Sequence, residues 1–196
     1  MTRDTTPITT EAVRTVDGRT VPAAGAWTVD HSHSSLEFVA RHLVVTKVRG
    51  RFTDWSAEIV IGERPEDSRV DVTIAAASVT TGDAGRDGHL TSPDFLDVEK
   101  FPTLTFRTTG VAPAADGHWS VTGDLTIVGT TRPVTLDVEF GGVSTDPWGN
   151  AKAAFSATTE FDREAFGVTW NQALEAGGVL VGKRVRIEIE IQASPA

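Results

Sequence analysis

The sequence contains no cysteine among its 196 residues. Disulfide bonds, thiolate metal sites and cysteine nucleophiles are therefore excluded. It also lacks an uninterrupted run of about 20 apolar residues, the length that a membrane-spanning helix requires. The first residues, Met1 to Glu11 (MTRDTTPITTE), have no apolar core of the kind found in secretory signal peptides. We therefore expect a cytoplasmic protein with no stable membrane insertion.

An excess of basic residues is also missing, because 27 Asp and Glu against 18 Lys and Arg leave a formal net charge of -9. Binding to nucleic acid phosphates needs a basic surface, and an anionic membrane surface repels an acidic protein. Both classes of partner are disfavoured. Hydrophobic residues make up 39% of the sequence, which at this length allows one domain with a sizeable core.

Alternation of apolar and polar residues with a period of two is abundant from residue 27 onward, and this period is typical of β-strands. The positions between the apolar residues are mostly polar, so each strand has one apolar face, as in antiparallel sheets. The segments that keep one parity contain Trp27/Val29/His31, Leu36/Phe38/Ala40/His42, Trp55/Ala57/Ile59/Ile61, Val70/Val72/Ile74, Leu104/Phe106, Trp119/Val121/Gly123/Leu125/Ile127, Val134/Leu136/Val138/Phe140, Phe155/Ala157/Thr159/Phe161 and Val185/Ile187/Ile189/Ile191.

Turn-forming sequences separate these segments at residues 62–65, 116–117, 129–133 and 146–149. Many strands with short connections predict an all-β barrel or sandwich. Eight strands closed as an up-and-down barrel can hold one small ligand, and closure removes exposed edges. Two short helices are expected, over residues 82–92 and as a single turn over 163–166.

The N-terminal part of the chain, residues 1–24, is polar and shows no periodicity. We predict a flexible arm here, with an added edge segment as the alternative. Residues 25–196 then form the barrel domain.

The histidines can be interpreted either as metal ligands or as polar residues of a cavity or turn. His31 and His33 share one face of a predicted strand, and His42 has the parity of Leu36 and Phe38. A metal site needs a third and usually a fourth ligand, and no spacing supplies one, so polar cavity or turn histidines are expected and no metal. No serine lies in a Gly-x-Ser-x-Gly sequence, so no catalytic residue is assigned.

A local basic group stands out because the protein is acidic. It could receive the anionic or polar head group of a ligand whose tail is buried, and an ordinary solvated loop is the alternative. Its members are Arg41, Lys47, Arg49 and Arg51.

Residues 81–102 interrupt the strand pattern and are predicted to form a lid. Asp83 can cap a helix that begins after it. Leu90, Phe95 and Val98 would close over the barrel mouth, while polar anchors reach the rim from Arg86, Asp87 and His89. A rigid plug is the alternative.

Many spaced motifs over residues 27–193 resemble the YceI-like family. They are DHSHSS (30–35), RHL (41–43), KVRGRF (47–52), TGD (81–83), RDGHL (86–90), DFLDVEKFP (94–102), VTGDLTI (121–127), RPVTL (132–136), DPWG (146–149), FGVTWN (166–171) and GGVLVG (177–182). The resemblance implies an extended, lipocalin-like antiparallel β-barrel that encloses a long apolar ligand, a polyisoprenoid or isoprenoid quinone. It implies no catalytic residue, no metal and no cofactor other than the bound lipid.

We therefore expect a non-enzymatic protein that binds, carries or sequesters an isoprenoid lipid. An enzyme acting on a lipid or small apolar substrate through His31, His33, His42 or His89, and an interaction module with a filled barrel, are the alternatives; a homodimer is left open. The expected tunnel residues are Phe38, Leu104, Phe106, Trp119, Val121, Leu125, Leu136, Val138, Phe155, Ile187 and Ile189. The expected residues of the head-group mouth are Arg41, His42, Lys47, Arg86 and His89.

Overall fold

The computed structural model describes residues 12–43, 45–173 and 179–196. Residues 1–11, Val44 and residues 174–178, which include the first two glycines of the GGVLVG motif, lie outside the described part. The strands are β1 (Val13–Val16), β2 (Arg19–Pro22), β3 (Gly25–Val29), β4 (Ser35–His42), β5 (Thr46–Phe52), β6 (Trp55–Ile61), β7 (Arg69–Ala75), β8 (Val79–Thr80), β9 (Thr103–Pro113), β10 (Trp119–Ile127), β11 (Thr130–Thr145), β12 (Ala151–Asp162) and β13 (Val181–Pro195). One α-helix, α1, spans Ala84–Thr91.

The strands close into an eight-stranded antiparallel barrel, as the sequence predicts. Each of the eight positions in the barrel wall is occupied by one long strand or by two consecutive shorter ones. Two shorter strands occupy three of the positions: β3 with β4, β5 with β6, and β7 with β8. The strands β9 to β13 fill the other five positions in chain order. Closure occurs along β13, which pairs with β12 on one side and with both β3 and β4 on the other. Each wall position thus pairs with the next along the chain, which is the up-and-down arrangement.

The two ends of the barrel differ. At the helix end, β8 leads into α1 and residues 92–102, and β12 leads into a 3-10 turn at Arg163–Phe166. At the hairpin end lie the connections 62–68, 114–118 and 146–150, together with the β1–β2 hairpin. No helix in the described ranges has the length and apolar character needed to cross a membrane.

Both predicted helical pieces form at about the expected positions. α1 begins after Asp83, whose side chain accepts a hydrogen bond of 2.8 Å from the backbone N–H of Arg86. This contact satisfies one of the free N–H groups at the helix start. The 3-10 turn occupies the predicted residues 163–166 and ends at Gly167, which has a φ of 84°.

The arm predicted over residues 1–24 is corrected in its second half. Val13–Val16 and Arg19–Pro22 pair as an antiparallel hairpin, and Val21 is only 2% exposed. Strands of four residues are too short to establish a visible period, so the alternation is missed in the sequence. Asp17 and Gly18, both with positive φ, form the turn.

Buried side chains form two clusters, one toward each end. The helix-end cluster consists of Leu36, Phe52, Trp55, Ile74, Ala76, Val79, Phe95, Leu104, Ile127, Val134, Phe166 and Val168. The hairpin-end cluster is smaller and consists of Ala12, Trp27, Ile59, Ala151, Ala153 and Ala193. The second cluster is built largely from alanine.

Candidate functional site

A cavity of ≈ 230 Å³ lies inside the barrel. Its walls come from inward-facing positions of the barrel strands, with Val21 and Pro22 of the hairpin and Pro65 of the β6–β7 connection at one end. Polar residues on its wall are few: Ser68, Arg69 and Thr159. The cavity is therefore suited to a hydrocarbon rather than to a polar ligand.

Ten of the eleven expected tunnel residues line this cavity, from Leu104 and Phe106 on β9 to Ile187 and Ile189 on β13. Period-two alternation along antiparallel strands is the reason, because it turns every second side chain inward. Phe38 is the exception. Its ring packs against Phe52 at a centroid distance of 6.0 Å and covers Gly50, whose missing Cβ leaves the space for that ring.

Of the polar wall residues, Ser68 and Arg69 contribute little polarity to the interior. The hydroxyl of Ser68 already accepts a hydrogen bond of 3.0 Å from the N–H of Gly62. Arg69 alternates with the inward-facing Val70, so its side chain shares the outer face with Asp71. The wall is therefore even more apolar than its composition indicates.

None of the five expected mouth residues lines the cavity. Arg41 and Lys47 pair directly between β4 and β5, close to the helix end. Strand alternation from Phe38 places both on the outer face, the face of Arg49, whose guanidinium lies 2.5 Å from the carboxylate of Glu188. His42 keeps the inward parity but lies at the last position of β4, beyond the cavity.

Arg86 and His89 also have partners away from the cavity. The Nε of Arg86 donates to the hydroxyl of Thr81 at 2.7 Å. His89 Nε2 lies 2.9 Å from Asp94 Oδ2. The His89 ring is held edge-on against the rings of Phe95 and Trp170, at centroid distances of 4.9 and 4.5 Å.

Residues 81–102 cover the helix end of the barrel. Phe95 is buried in the helix-end cluster, and Leu90 and Val98 pack against it. Asp87 ties α1 to the end of β8 by accepting hydrogen bonds from the hydroxyl of Thr80 at 2.9 Å and from the backbone N–H of Thr81 at 2.7 Å. The Thr81 and Thr80 bonds lower the pKa of Asp87. The apolar residues that were expected to close over the barrel therefore pack this segment into the core.

Arg163 also holds the helix end in place through hydrogen bonds, and no pattern in the sequence predicts this role. Its side chain is 5% exposed and donates to the carbonyl oxygens of Val168 at 2.7 Å and Gly182 at 3.0 Å. Burial lowers the pKa of this arginine. A single arginine in a turn carries no sequence signal for burial, because arginine is ordinarily exposed.

The histidines do not assemble a reactive group against the cavity. All five histidines are described, and none is a lining residue. His33 Nδ1 lies 3.1 Å from Asp30 and 3.0 Å from Ser32, so one ring nitrogen contacts both partners. A nucleophile–histidine–acid relay needs the two partners on opposite ring nitrogens. In the described ranges, no group of three or more His, Asp or Glu residues is placed to hold a metal ion.

Asp30 instead fastens the bend between β3 and β4. It accepts from the hydroxyl of Ser32 at 2.6 Å and from Lys152 of β12 at 3.3 Å. The hydrogen bonds from Ser32 and His33 hold the pKa of Asp30 well below its usual range. The DHSHSS motif therefore stabilises an interruption in the barrel wall.

His118, at the hairpin end, gives a pH-dependent contact. Its Nδ1 lies 2.8 Å from Asp137 Oδ1, and this hydrogen bond raises the pKa of His118. A raised histidine pKa contributes stability that is complete below about pH 6.5 and is lost as the pH rises through the folded-state pKa. We expect Asp137→Asn to return the pKa of His118 toward its ordinary value, measured by NMR titration. An unchanged titration curve would contradict the assigned pairing.

Comparison with known proteins agrees with this architecture. A family model described as the YceI-like domain matches residues 27–193. A UPF0312 protein of Staphylococcus aureus (strain USA300) is 40% identical over 171 residues, covering 86% of this chain and 96% of the relative. Among solved structures, Burkholderia cenocepacia BcnA is 26% identical with a TM-score of 0.72, covering 85% of this chain and 99% of that chain.

A second structure shares the fold at lower identity. It is a polyisoprenoid binding domain from Saccharophagus degradans, 14% identical with a TM-score of 0.62, covering 87% of this chain and 98% of that chain. The match over residues 27–193, the 40% identity to the staphylococcal relative and the closed eight-stranded barrel together assign the chain to the YceI-like family.

Proposed function

We propose that this protein binds a long apolar lipid, a polyisoprenoid or isoprenoid quinone, in the cavity of its barrel, and that it carries or sequesters the lipid without catalysing a reaction. The observation that carries the proposal is the almost entirely apolar cavity of ≈ 230 Å³ inside the barrel. Membership of the YceI-like family and the fold shared with a polyisoprenoid binding domain support it.

The energetics favour a hydrocarbon ligand. Each buried methylene-sized group contributes about 0.8 kcal/mol, so an isoprenoid tail of several units has enough driving force after the costs of association and ordering. Few polar groups on the wall mean that binding depends on the length and width of the tail. Several lipids with similar tails should therefore be accepted.

The enzyme alternative receives less support. It needs histidines that face the substrate, and none of the five histidines lines the cavity. Mass spectrometry of an organic extract of the purified protein separates the three alternatives. A stoichiometric isoprenoid supports the carrier, turnover of an added lipid supports the enzyme, and an empty extract supports the interaction module.

Ligand binding should stabilise the fold and change tryptophan fluorescence. Trp55 and Trp119 both line the cavity. A ligand that binds only the folded state at a hundred times its Kd adds about 2.7 kcal/mol, or about 5 to 10 °C in Tm for a protein of this size. We expect saturating isoprenoid quinone to raise Tm by this amount and to quench the tryptophans. No change in either quantity would contradict the proposed function.

A further inference from the structure

The hairpin end is closed by an element outside the part of the chain that the family model matches. The β1–β2 hairpin ends at Pro22, and the match begins at residue 27. Its Val21 and Pro22 form part of the cavity wall. Both side chains are buried, Val21 to 2% exposure. The hairpin is therefore in contact with the space that the proposed function assigns to the lipid.

The hairpin forms a sheet of its own. Its two strands pair with each other and with none of the described barrel strands. A lone two-stranded hairpin is at best marginally stable in water. Its hold on the barrel therefore depends on side-chain contacts and on a few hydrogen bonds.

Two arginines supply much of that hold. Arg14 donates to the backbone carbonyl oxygens of Gly62 and Glu63 in the β6–β7 connection. Arg19 reaches across to the β9–β10 connection, where it donates to the carbonyl oxygens of Ala114 at 3.0 Å and His118 at 3.2 Å.

Arg19 also stacks over a ring of the cavity wall. Its guanidinium carbon lies 5.4 Å from the centroid of the Trp119 ring, and Trp119 lines the cavity. Because the hairpin pairs with no described barrel strand, its release would open the cavity without breaking the barrel wall.

The helix end is closed in a different way. Phe95, Phe166 and Val168 are buried there as members of the larger cluster. Arg163 and Asp87 add hydrogen bonds to strands and turns beneath them. Opening this end would expose several large apolar side chains at once, which costs far more than releasing a short hairpin.

Elements that open for ligands come from the less stable parts of a fold. We propose that the β1–β2 hairpin is the gate of the cavity: the lipid enters and leaves at the hairpin end, and Val21 and Pro22 contact it when it is bound. The inference rests on the proposed function. It assigns the entrance to the end opposite the expected mouth residues.

Stopped-flow tryptophan quenching by an isoprenoid quinone tests the gate. Arg19→Ala removes two hydrogen bonds from the closed hairpin, and because both are only partly shielded from water, we expect the open fraction to rise about tenfold. The association and dissociation rate constants should then both rise about tenfold, while Kd changes much less. The reason is that closure is weakened in the empty and the loaded protein alike. Arg14→Ala acts on the other connection and should have the same effect.

A matched control exists at the opposite end of the barrel. Arg132 donates from its Nε to the carbonyl oxygen of Ala165 at 3.2 Å, at the helix end. Arg132→Ala removes an arginine–carbonyl contact there and should leave both rate constants unchanged.

Hydrogen exchange provides a second readout on the unmodified protein. Bound quinone should slow the amide exchange of residues 13–22 more than that of residues 81–102. Unchanged rates in both hairpin variants, accelerated rates in Arg132→Ala, or new protection confined to residues 81–102 would overturn the gate. In those cases the unmodified protein still binds quinone, so the proposed function stands. Absence of any quinone binding to the unmodified protein overturns both.

Discussion

Ala157→Phe is expected to reduce isoprenoid binding by on the order of a thousandfold while leaving the protein folded. Ala157 lies on β12, lines the cavity and faces Ile189 and Val138 across its two strand pairs. A phenyl ring at this position would occupy the space of about one isoprene unit. Burial of that unit contributes about 4 kcal/mol at 0.8 kcal/mol per carbon, which corresponds to the expected loss of affinity.

Stability should respond in the opposite direction to affinity. Overpacking costs free energy when a core is already full, but the new ring would enter existing space. We therefore expect the free energy of unfolding of the empty variant to equal or exceed that of the unmodified protein. Titration of an isoprenoid quinone by tryptophan quenching and thermal unfolding measure the two effects.

Ala154→Phe is the matched control. Ala154 lies three residues away on the same strand, is exposed and has the opposite parity, so its side chain is on the outer face. The control should bind the quinone like the unmodified protein. Wild-type affinity in Ala157→Phe would show that the lipid is bound elsewhere.

Arg163→Ala is expected to lower the free energy of unfolding by about 3 kcal/mol, or Tm by about 6 to 12 °C. The buried guanidinium donates to the carbonyl oxygens of Val168 and Gly182, and lies over the ring of Phe95 at 5.9 Å. Removal leaves buried carbonyl groups without these donors and a void beneath the helix end.

An exposed arginine near the start of β13 serves as the control for Arg163. Arg184 lies 3.7 Å from Glu160, with its side chain 70% exposed. Exposed ion pairs of this kind contribute about 1 kcal/mol or less, so Arg184→Ala should change stability little. Chemical denaturation with a linear extrapolation measures both variants. Equal effects of the two substitutions would show that Arg163 has no special structural role.

The barrel and its apolar wall follow from local patterning. Apolar and polar residues alternate with a period of two in each strand segment, and antiparallel pairing of neighbouring strands needs only short turns. For this reason Leu125, Leu136 and Phe155 could be assigned to the interior before any contact was known. The cap at Asp83 and the turn at residues 163–166 are local for the same reason.

Other features depend on contacts between distant parts of the chain. Phe38 has the inward parity of a tunnel residue, but Gly50 on the neighbouring strand gives its ring a place outside the cavity. Arg41 and Lys47 lie near the end of the barrel as expected, yet the pleat turns both outward. A position along a strand does not reveal where the cavity ends.

The closures of the two ends were decided only by tertiary structure. Four-residue strands carry too little pattern to be recognised, and Arg14 and Arg19 find their carbonyl partners 48 and 95 residues further along the chain. Arg163 becomes buried because its guanidinium donates to the carbonyl oxygen of Gly182 on the distant strand β13, as well as to that of Val168 just after its own turn. Alternation along a strand is a short-range property of the backbone, whereas burial of an end depends on which distant segments meet there.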